Sequence, residues 1–214
     1  MKNLDKKAII FDFDGVFVDD FDFHKSHIEK FLGIKITDEE FYKIHSGNVY
    51  NDDGDGLELG SFDIQNYCKQ IKAELVKLPL VKDMDKVIEK SKSLGQSFIV
   101  SSGCEYNIKA FFEDKKICLE NCKIYGVETN PSKEKKFEKI LQETNIPPEN
   151  LLFVTDTLGD ILEANELGIA SIAVTWGFQR IETLERGAPF GFAHNANDVQ
   201  KLIERYFMFD KIQK

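Results

Sequence analysis

Short apolar runs alternate with longer amphipathic segments along most of the chain. The short runs are too brief for helices and mostly apolar, so each predicts a strand: residues 8–11, 97–100, 123–125, 151–154 and 170–174. The segments between them repeat apolar residues at helical spacing and predict helices over residues 87–94, 107–112, 133–144 and 197–207, with a further helix that ends at Leu167. Strands that lead into helices in this way predict an α/β fold, a doubly wound parallel sheet covered on both faces.

Residues 17–82 interrupt this alternation with three amphipathic segments. These predict helices, and the second can be capped by the side chain at its start. The predicted starts are near Asp20, at Thr37 or Asp38, and after Ser61. Residues 48–60 are rich in Asp and Gly and predict a mobile loop between the second and third helices. The pattern therefore predicts a small helical insertion after the first strand.

The size of the chain fits this division. At 214 residues and 42% hydrophobic content, it can bury one good core and still carry a smaller module. We therefore predict a core domain made of residues 1–16 and 83–214, with a helical cap domain made of residues 17–82.

The charge of the chain limits its partners. A formal net charge of -9 argues against nucleic acid or an anionic membrane, because both require a basic face, and favours a small ligand or a metal. The charged N-terminal residues precede only a short apolar run, so we expect no signal peptide and a cytoplasmic protein. The four cysteines lack zinc-site spacing and are expected to be reduced thiols.

Polar residues follow three of the predicted strands directly. Asp12 and Asp14 follow the first, Ser101 and Ser102 the second, and Thr155 and Asp156 the fourth. In an open parallel sheet, the ligand crevice lies outside the carboxyl ends of the strands. These separate stretches should therefore converge on one site.

The residue types at these positions indicate the chemistry. Asp12, Asp14, Asp156 and Asp160 gather up to four negative charges, and hard oxygen ligands of this kind suit Mg²⁺. Ser101 precedes a helix start, where backbone N–H groups bind phosphate oxygens, and a Lys in the first turn of another helix adds a positive charge. Together these features favour phosphoryl transfer.

These motifs resemble those of the haloacid dehalogenase-like (HAD) superfamily. The resemblance is to hydrolases of cap subclass I, which carry an inserted helical cap and include the phosphoglycolate phosphatase-like and beta-phosphoglucomutase-like members. The nucleophile and the acid/base of that family match Asp12 and Asp14 in Phe-Asp-Phe-Asp-Gly-Val. The hydroxyl residue that ends its next strand matches Ser101, and its paired acidic motif matches Asp156 and Asp160.

The third motif of the family is a Lys near a helix start, and several residues here could supply it. Many relatives carry it in a Lys-Pro pair, whereas this chain has Asn130-Pro131. We select Lys133, because Phe137 follows four residues later at the usual apolar helix position, and keep Lys135 and Lys136 as alternatives.

The resemblance implies a mechanism. Asp12 would attack phosphorus to form an aspartyl-phosphate, and Asp14 would act as general acid and then as general base. Lys133, Ser101 and Ser102 would hold the phosphoryl oxygens. Mg²⁺ would be bound by Asp12, Asp156 and the backbone carbonyl of Asp14. Asp160 would orient Lys133 or a metal-bound water.

The insertion occupies the place of the family's cap, which closes over the substrate. It contains eight Lys and no Arg. Because a mutase must bind a second phosphate from the cap, and Arg is the preferred residue for that, we expect a phosphatase acting on a small phosphate ester. The same reasoning disfavours a phosphoglycolate-like substrate, although a cap Lys could bind its carboxylate. A sugar-phosphate mutase and a catalytically idle metal-binding relative remain alternatives.

Overall fold

A computed structural model describes residues 6–44 and 62–209. Its strands are Ala8–Phe11 (β1), Gln96–Val100 (β2), Cys122–Tyr125 (β3), Leu151–Thr155 (β4), Ala170–Val174 (β5) and Gly191–Ala193 (β6). Within the described residues they form one sheet in the order β3-β2-β1-β4-β5-β6, and every neighbouring pair is parallel. The predicted α/β fold is confirmed. The sheet has one strand more than predicted. This strand, β6, was not predicted because it has three residues and lies at an edge of the sheet.

Helices connect these strands. They are Phe21–Leu32 (α1), Asp38–Ile44 (α2), Ile64–Leu75 (α3), Met84–Leu94 (α4), Glu105–Asp114 (α5), Lys133–Thr144 (α6), Leu158–Glu166 (α7), Ile181–Leu184 (α8) and Ala196–Phe209 (α9). The short α8 was not predicted, and α4, α5 and α9 extend beyond their predicted bounds. No helix in the described parts of the chain is both long enough and apolar enough to cross a lipid bilayer.

The central strand packs against helices on both faces of the sheet. All four residues of β1 are buried. Ile9 and Phe11 belong to the apolar cluster on one face, whereas Ala8 and Ile10 belong to the cluster on the other. Because neither face meets solvent, the strand is continuously apolar rather than alternating with polar residues.

Local capping explains where two helices of the insertion begin. Thr37 caps α2 reciprocally with Glu40: its Oγ1 accepts from the Glu40 N–H at 3.2 Å, and its own N–H donates to the Glu40 carboxylate at 2.7 Å. The carboxylate of Asp63 caps α3 by accepting from the N–H of Asn66 at 3.0 Å. The predicted loop over residues 48–60 and the predicted entry at Ser61 lie outside the described residues.

The chain enters and leaves the insertion through two adjacent segments. The N–H of Val81 donates to the carbonyl of Phe17 at 2.8 Å, and Val18 forms an antiparallel bridge with Leu80. Helices α1 to α3 lie between these segments in the sequence. The division into a core domain and a cap domain stays a prediction, and these paired segments are where a hinge between them would lie.

Candidate active site

The carboxyl ends of three neighbouring strands bring the predicted residues to one edge of the sheet. β1 lies between β2 and β4, and Asp12, Ser101 and Asp156 are the residues that directly follow these strands. A cavity of about 140 Å³ lies at this edge and is lined by Asp12, Asp14 and Asp156 among others. Residues far apart in the sequence therefore meet at one cavity.

The ammonium group of Lys133 bridges two buried carboxylates. Its Nζ lies 2.6 Å from Oδ2 of Asp12 and 2.6 Å from Oδ2 of Asp160. Burial alone works to lower the pKa of Lys133, but the two carboxylates outweigh it and hold that pKa above its ordinary value. The side chain is therefore a fixed positive charge beside Asp12. Thr155 donates to the same oxygen of Asp160 at 2.6 Å and fixes that carboxylate in turn.

The two alternative lysines lie elsewhere. Lys135 is exposed and pairs with Glu138 at 2.9 Å. Lys136 is buried, and its Nζ donates to the backbone carbonyl of Ser101 at 2.7 Å. Of the three candidates, Lys133 is the one whose ammonium contacts Asp12.

Three carboxylates form a compact acidic cluster. Asp12, Asp156 and Asp160 each offer one oxygen, and these oxygens all lie within 4.8 Å of one another. Burial raises the pKa of Asp12 well above its ordinary value and that of Asp156 to about 7. One positive charge from Lys133 does not balance three carboxylates. A divalent cation bound by these oxygens would balance the remaining negative charge. Carboxylate oxygens are ligands that Mg²⁺ prefers, so the three side chains fit a Mg²⁺ site.

Two glycines make room for Asp156. A Cβ at Gly15 would lie 1.9 Å from Oδ2 of Asp156, and a Cβ at Gly177 would lie 2.3 Å from its Cβ. Gly15 also has a φ of +69°, which only glycine adopts freely. The carboxylate is held between these two backbone segments, where it accepts from the N–H of Phe178 at 2.7 Å.

Asp14 contacts His24 of α1, a residue that sequence reasoning missed. Nε2 of His24 lies 3.2 Å from Oδ1 of Asp14 and 3.3 Å from Oδ2 of Asp20, and its Nδ1 lies 2.8 Å from the Tyr67 hydroxyl. Burial works to raise the pKa of Asp14, but the hydrogen bond and charge of His24 hold it below its ordinary value. The sequence signal was the Asp20/His24 pair, one helical turn apart, although such pairs are common on exposed helices.

The two serines after β2 occupy different positions. Ser101 is fully buried; its hydroxyl donates to Oδ2 of Asp14 at 3.2 Å and accepts from the N–H of Gly103 at 2.9 Å. Ser102 is partly exposed and lines the cavity. Ser101 therefore contacts Asp14, and Ser102 is the one of these two serines that lines the cavity.

Lys136 gives a testable stability effect. Burial lowers the pKa of Lys136 to about 7, whereas in the unfolded chain it should be about 10.4. At pH values between these two pKa values, Lys136 carries a proton in the unfolded chain but not in the folded chain. Lys136 therefore makes the free energy of unfolding rise with pH. We expect Lys136→Met to raise that free energy by about 1–3 kcal/mol near pH 6, with a smaller gain near pH 10.

Urea unfolding at several pH values measures this effect. Lys135→Met is the matched control, because Lys135 is exposed one position away, and it should change little. A gain from Lys136→Met that is the same at every pH would contradict the prediction.

Comparison with known proteins places the chain among hydrolases. The family model described as haloacid dehalogenase-like hydrolase matches residues 9–174. A phosphoglycolate phosphatase from Synechococcus elongatus is 22% identical over 205 residues, which cover 92% of this chain and 97% of that protein.

Solved structures share the fold over nearly their whole length. A haloacid dehalogenase-like family hydrolase from Streptococcus pneumoniae has a TM-score of 0.75 at 24% identity, covering 93% of this chain and 99% of that one. A protein described as a predicted phosphatase from Clostridium acetobutylicum has a TM-score of 0.74 at 20% identity, covering 94% and 99%.

Proposed function

Because the chain belongs to the haloacid dehalogenase-like hydrolase family, we propose that it is a Mg²⁺-dependent phosphatase that hydrolyses a small phosphorylated metabolite. The observation that supports this most is the group formed by Asp12, Lys133, Asp156 and Asp160 at the strand ends, with Asp14 beside it. It combines a nucleophile, a fixed cation and a set of metal-binding oxygens. The phosphoglycolate phosphatase among its relatives belongs to the same class of phosphate monoester hydrolases.

In the first step, a carboxylate oxygen of Asp12 attacks phosphorus. The new Asp12 O–P bond forms as the bond between phosphorus and the alcohol oxygen breaks, and Asp14 gives a proton to the departing alcohol. His24 keeps Asp14 ionised in the free protein. The negative charge of an incoming phosphate works against that effect and raises the pKa of Asp14, so that Asp14 takes up a proton from solvent when the substrate binds and can then give it to the alcohol.

In the second step, water attacks the same phosphorus and its proton goes to Asp14. The Asp12 O–P bond then breaks, which releases inorganic phosphate and restores both side chains. Lys133 stabilises the phosphoryl oxygens by its charge, and Asp160 and Thr155 fix its orientation. Ser102, which lines the cavity, would donate to the same oxygens.

The cation would be bound by Asp12, Asp156 and the backbone carbonyl of Asp14. When bound, Mg²⁺ offsets the repulsion between the carboxylates and the anionic substrate. Asp160 already pairs with Lys133, so we expect it to position that lysine rather than to bind the cation. We also place the enzyme in the cytoplasm, which agrees with four cysteines that are all free thiols.

Removal of divalent cations tests the metal dependence. We expect EDTA to lower turnover of para-nitrophenyl phosphate by at least about a hundredfold, because the carboxylates would then repel the substrate. Added Mg²⁺ should restore the rate. EDTA already saturated with Mg²⁺ is the control for effects of the chelator itself. Full activity of a metal-stripped sample would contradict the proposal.

A sugar-phosphate mutase would share this first step, so the reaction product distinguishes a mutase from a phosphatase. Incubation with a sugar phosphate should release inorganic phosphate if the enzyme is a phosphatase. Accumulation of an isomeric sugar phosphate without free phosphate would favour the mutase. An absence of turnover, with Asp12→Asn no different from the wild type, would favour an idle metal-binding relative.

A further inference from the structure

Phe178, in the loop after β5, contacts the acidic cluster through its backbone and the insertion through its side chain. Its N–H donates to Oδ2 of Asp156 at 2.7 Å. Its ring packs against those of Phe21 in α1 and Phe41 in α2, with centroids 5.5 and 6.0 Å away. One residue therefore joins a carboxylate of the proposed metal site to two helices of the insertion.

Gln179, the next residue, makes a second connection of the same kind and is 4% exposed. Its Oε1 accepts from the N–H of Leu158 at 2.6 Å, and its Nε2 donates to the backbone carbonyl of Tyr42 in α2 at 3.4 Å. Because a backbone N–H only donates and a carbonyl only accepts, these two partners fix the direction of the amide. The side chain of Gln179 therefore connects α7 to the insertion.

The α7 end of this connection lies beside the acidic cluster. Leu158 is the first residue of α7, where a backbone N–H has no partner within the helix. Asp156 precedes this helix, and Asp160 lies in its first turn. The hydrogen bond to Leu158 therefore restrains the chain between two carboxylates of the cluster.

The insertion meets these two residues with packed aromatic side chains. The ring of Phe21 lies 5.0 Å from that of Phe41, which is fully buried, and 4.8 Å from that of Tyr42. In the part of the chain that the structure describes, Phe178 lines the cavity but Phe21 and Phe41 do not. A substitution at Phe41 can therefore disturb Phe178 without replacing a side chain of the cavity wall.

We propose that Phe178 and Gln179 are positioning residues for Asp156 and the first turn of α7, and that they make the geometry of these carboxylates depend on the packing of the insertion. The inference rests on the proposed function, since it concerns the same metal site. Contacts that orient metal ligands typically change metal affinity by about 10- to 100-fold when they are lost. Mg²⁺ then binds most tightly when the insertion is packed as in this structure, and by linkage bound Mg²⁺ favours that packing.

Calorimetric titration with Mg²⁺ alone tests the role of Gln179. Gln179→Met keeps the length of the side chain but loses both hydrogen bonds, and we expect Mg²⁺ to bind about tenfold more weakly. Asn165→Leu is the control, because it removes a 2.7 Å hydrogen bond to the carbonyl of Gly187 near the other end of α7, and its Mg²⁺ affinity should match the wild type. Wild-type affinity in Gln179→Met would overturn the role of Gln179.

Circular dichroism verifies the fold of each variant. Gln179→Asn provides the same test if Gln179→Met does not fold, because its shorter amide loses at least one of the two hydrogen bonds.

A change inside the insertion tests the dependence on its packing. We expect Phe41→Leu to weaken Mg²⁺ binding severalfold, because the contact with the Phe178 ring is reduced. Phe31→Leu is the matched control in α1, since the ring of Phe31 packs against those of Phe62 and Tyr67, with centroids 5.2 and 5.7 Å away. An equal Mg²⁺ affinity in Phe41→Leu and Phe31→Leu would overturn the dependence on the insertion.

Hydrogen exchange of α2 provides a readout that does not require turnover. Mg²⁺ should slow exchange of the α2 amides in the wild type, because a bound cation favours the packed insertion. The slowing should be smaller in Gln179→Met. Equal slowing in both proteins would contradict a connection through Gln179.

Turnover of para-nitrophenyl phosphate separates this inference from the proposed function. If the wild type hydrolyses no ester but binds Mg²⁺, and the variants weaken that binding as expected, the proposed function fails and the positioning role stands. If the wild type is a Mg²⁺-dependent phosphatase but Gln179→Met and Phe41→Leu bind Mg²⁺ with its affinity, the positioning role fails and the phosphatase stands. A wild type that binds no Mg²⁺ would overturn both.

Discussion

Replacing Asp12 by Asn should lower turnover of para-nitrophenyl phosphate by at least about a thousandfold, because an amide oxygen cannot replace the carboxylate as nucleophile. The fold should persist. The new side chain has the same shape, and the buried carboxylate that it replaces has a raised pKa, which means that burying its charge costs free energy. Steady-state kinetics with Mg²⁺ measure the loss, and thermal unfolding tests the fold.

Asp22→Asn is a matched control for this variant, because it makes the same change of charge at an exposed position of α1. It should turn over like the wild type. Mass spectrometry after rapid acid quenching should detect a phosphoryl adduct on Asp12 in the wild type. A residual rate in Asp12→Asn close to that of Asp22→Asn would rule out Asp12 as nucleophile.

Replacing Lys133 by Met should lower kcat by about a hundredfold or more, because the phosphoryl oxygens lose the charge that stabilises them. It should also destabilise the fold by about 3 kcal/mol at pH 7, since Asp12 and Asp160 lose their buried partner. The sign of the pH dependence follows from these carboxylates. Without Lys133 the folded pKa of Asp160, which is now held low, rises, and that of Asp12, which burial already raises, rises further, so the loss appears above the unfolded pKa and grows with pH.

Urea unfolding between acidic and neutral pH measures this trend. Added Mg²⁺ should recover part of the stability of Lys133→Met, because it supplies positive charge to the same carboxylates, without recovering the rate. Lys135→Met is the control, since that side chain is exposed and pairs with Glu138. Wild-type kinetics in Lys133→Met, or an equal loss in Lys135→Met, would contradict the assignment of Lys133.

Much of the fold could be predicted because the determining signals are local. The four apolar residues of β1 are too few for a helix, and α6 runs from Lys133 to Thr144 as predicted because Ser132 caps it by accepting from the N–H of Lys135. Three residues of β6 at a sheet edge give no such signal. Its pairing with β5 depends on contacts between distant parts of the chain.

For the site, the sequence by itself determined which strand ends carry carboxylates and hydroxyls, because side-chain identity and the parallel sheet together place Asp12, Ser101 and Asp156 at one edge. It favoured Lys133 but left Lys135 and Lys136 open, because these three residues lie within one helical turn of one another. It also could not show that His24 contacts Asp14. Only the tertiary structure decided these points, because the direction and burial of a side chain depend on how the helices pack against the sheet.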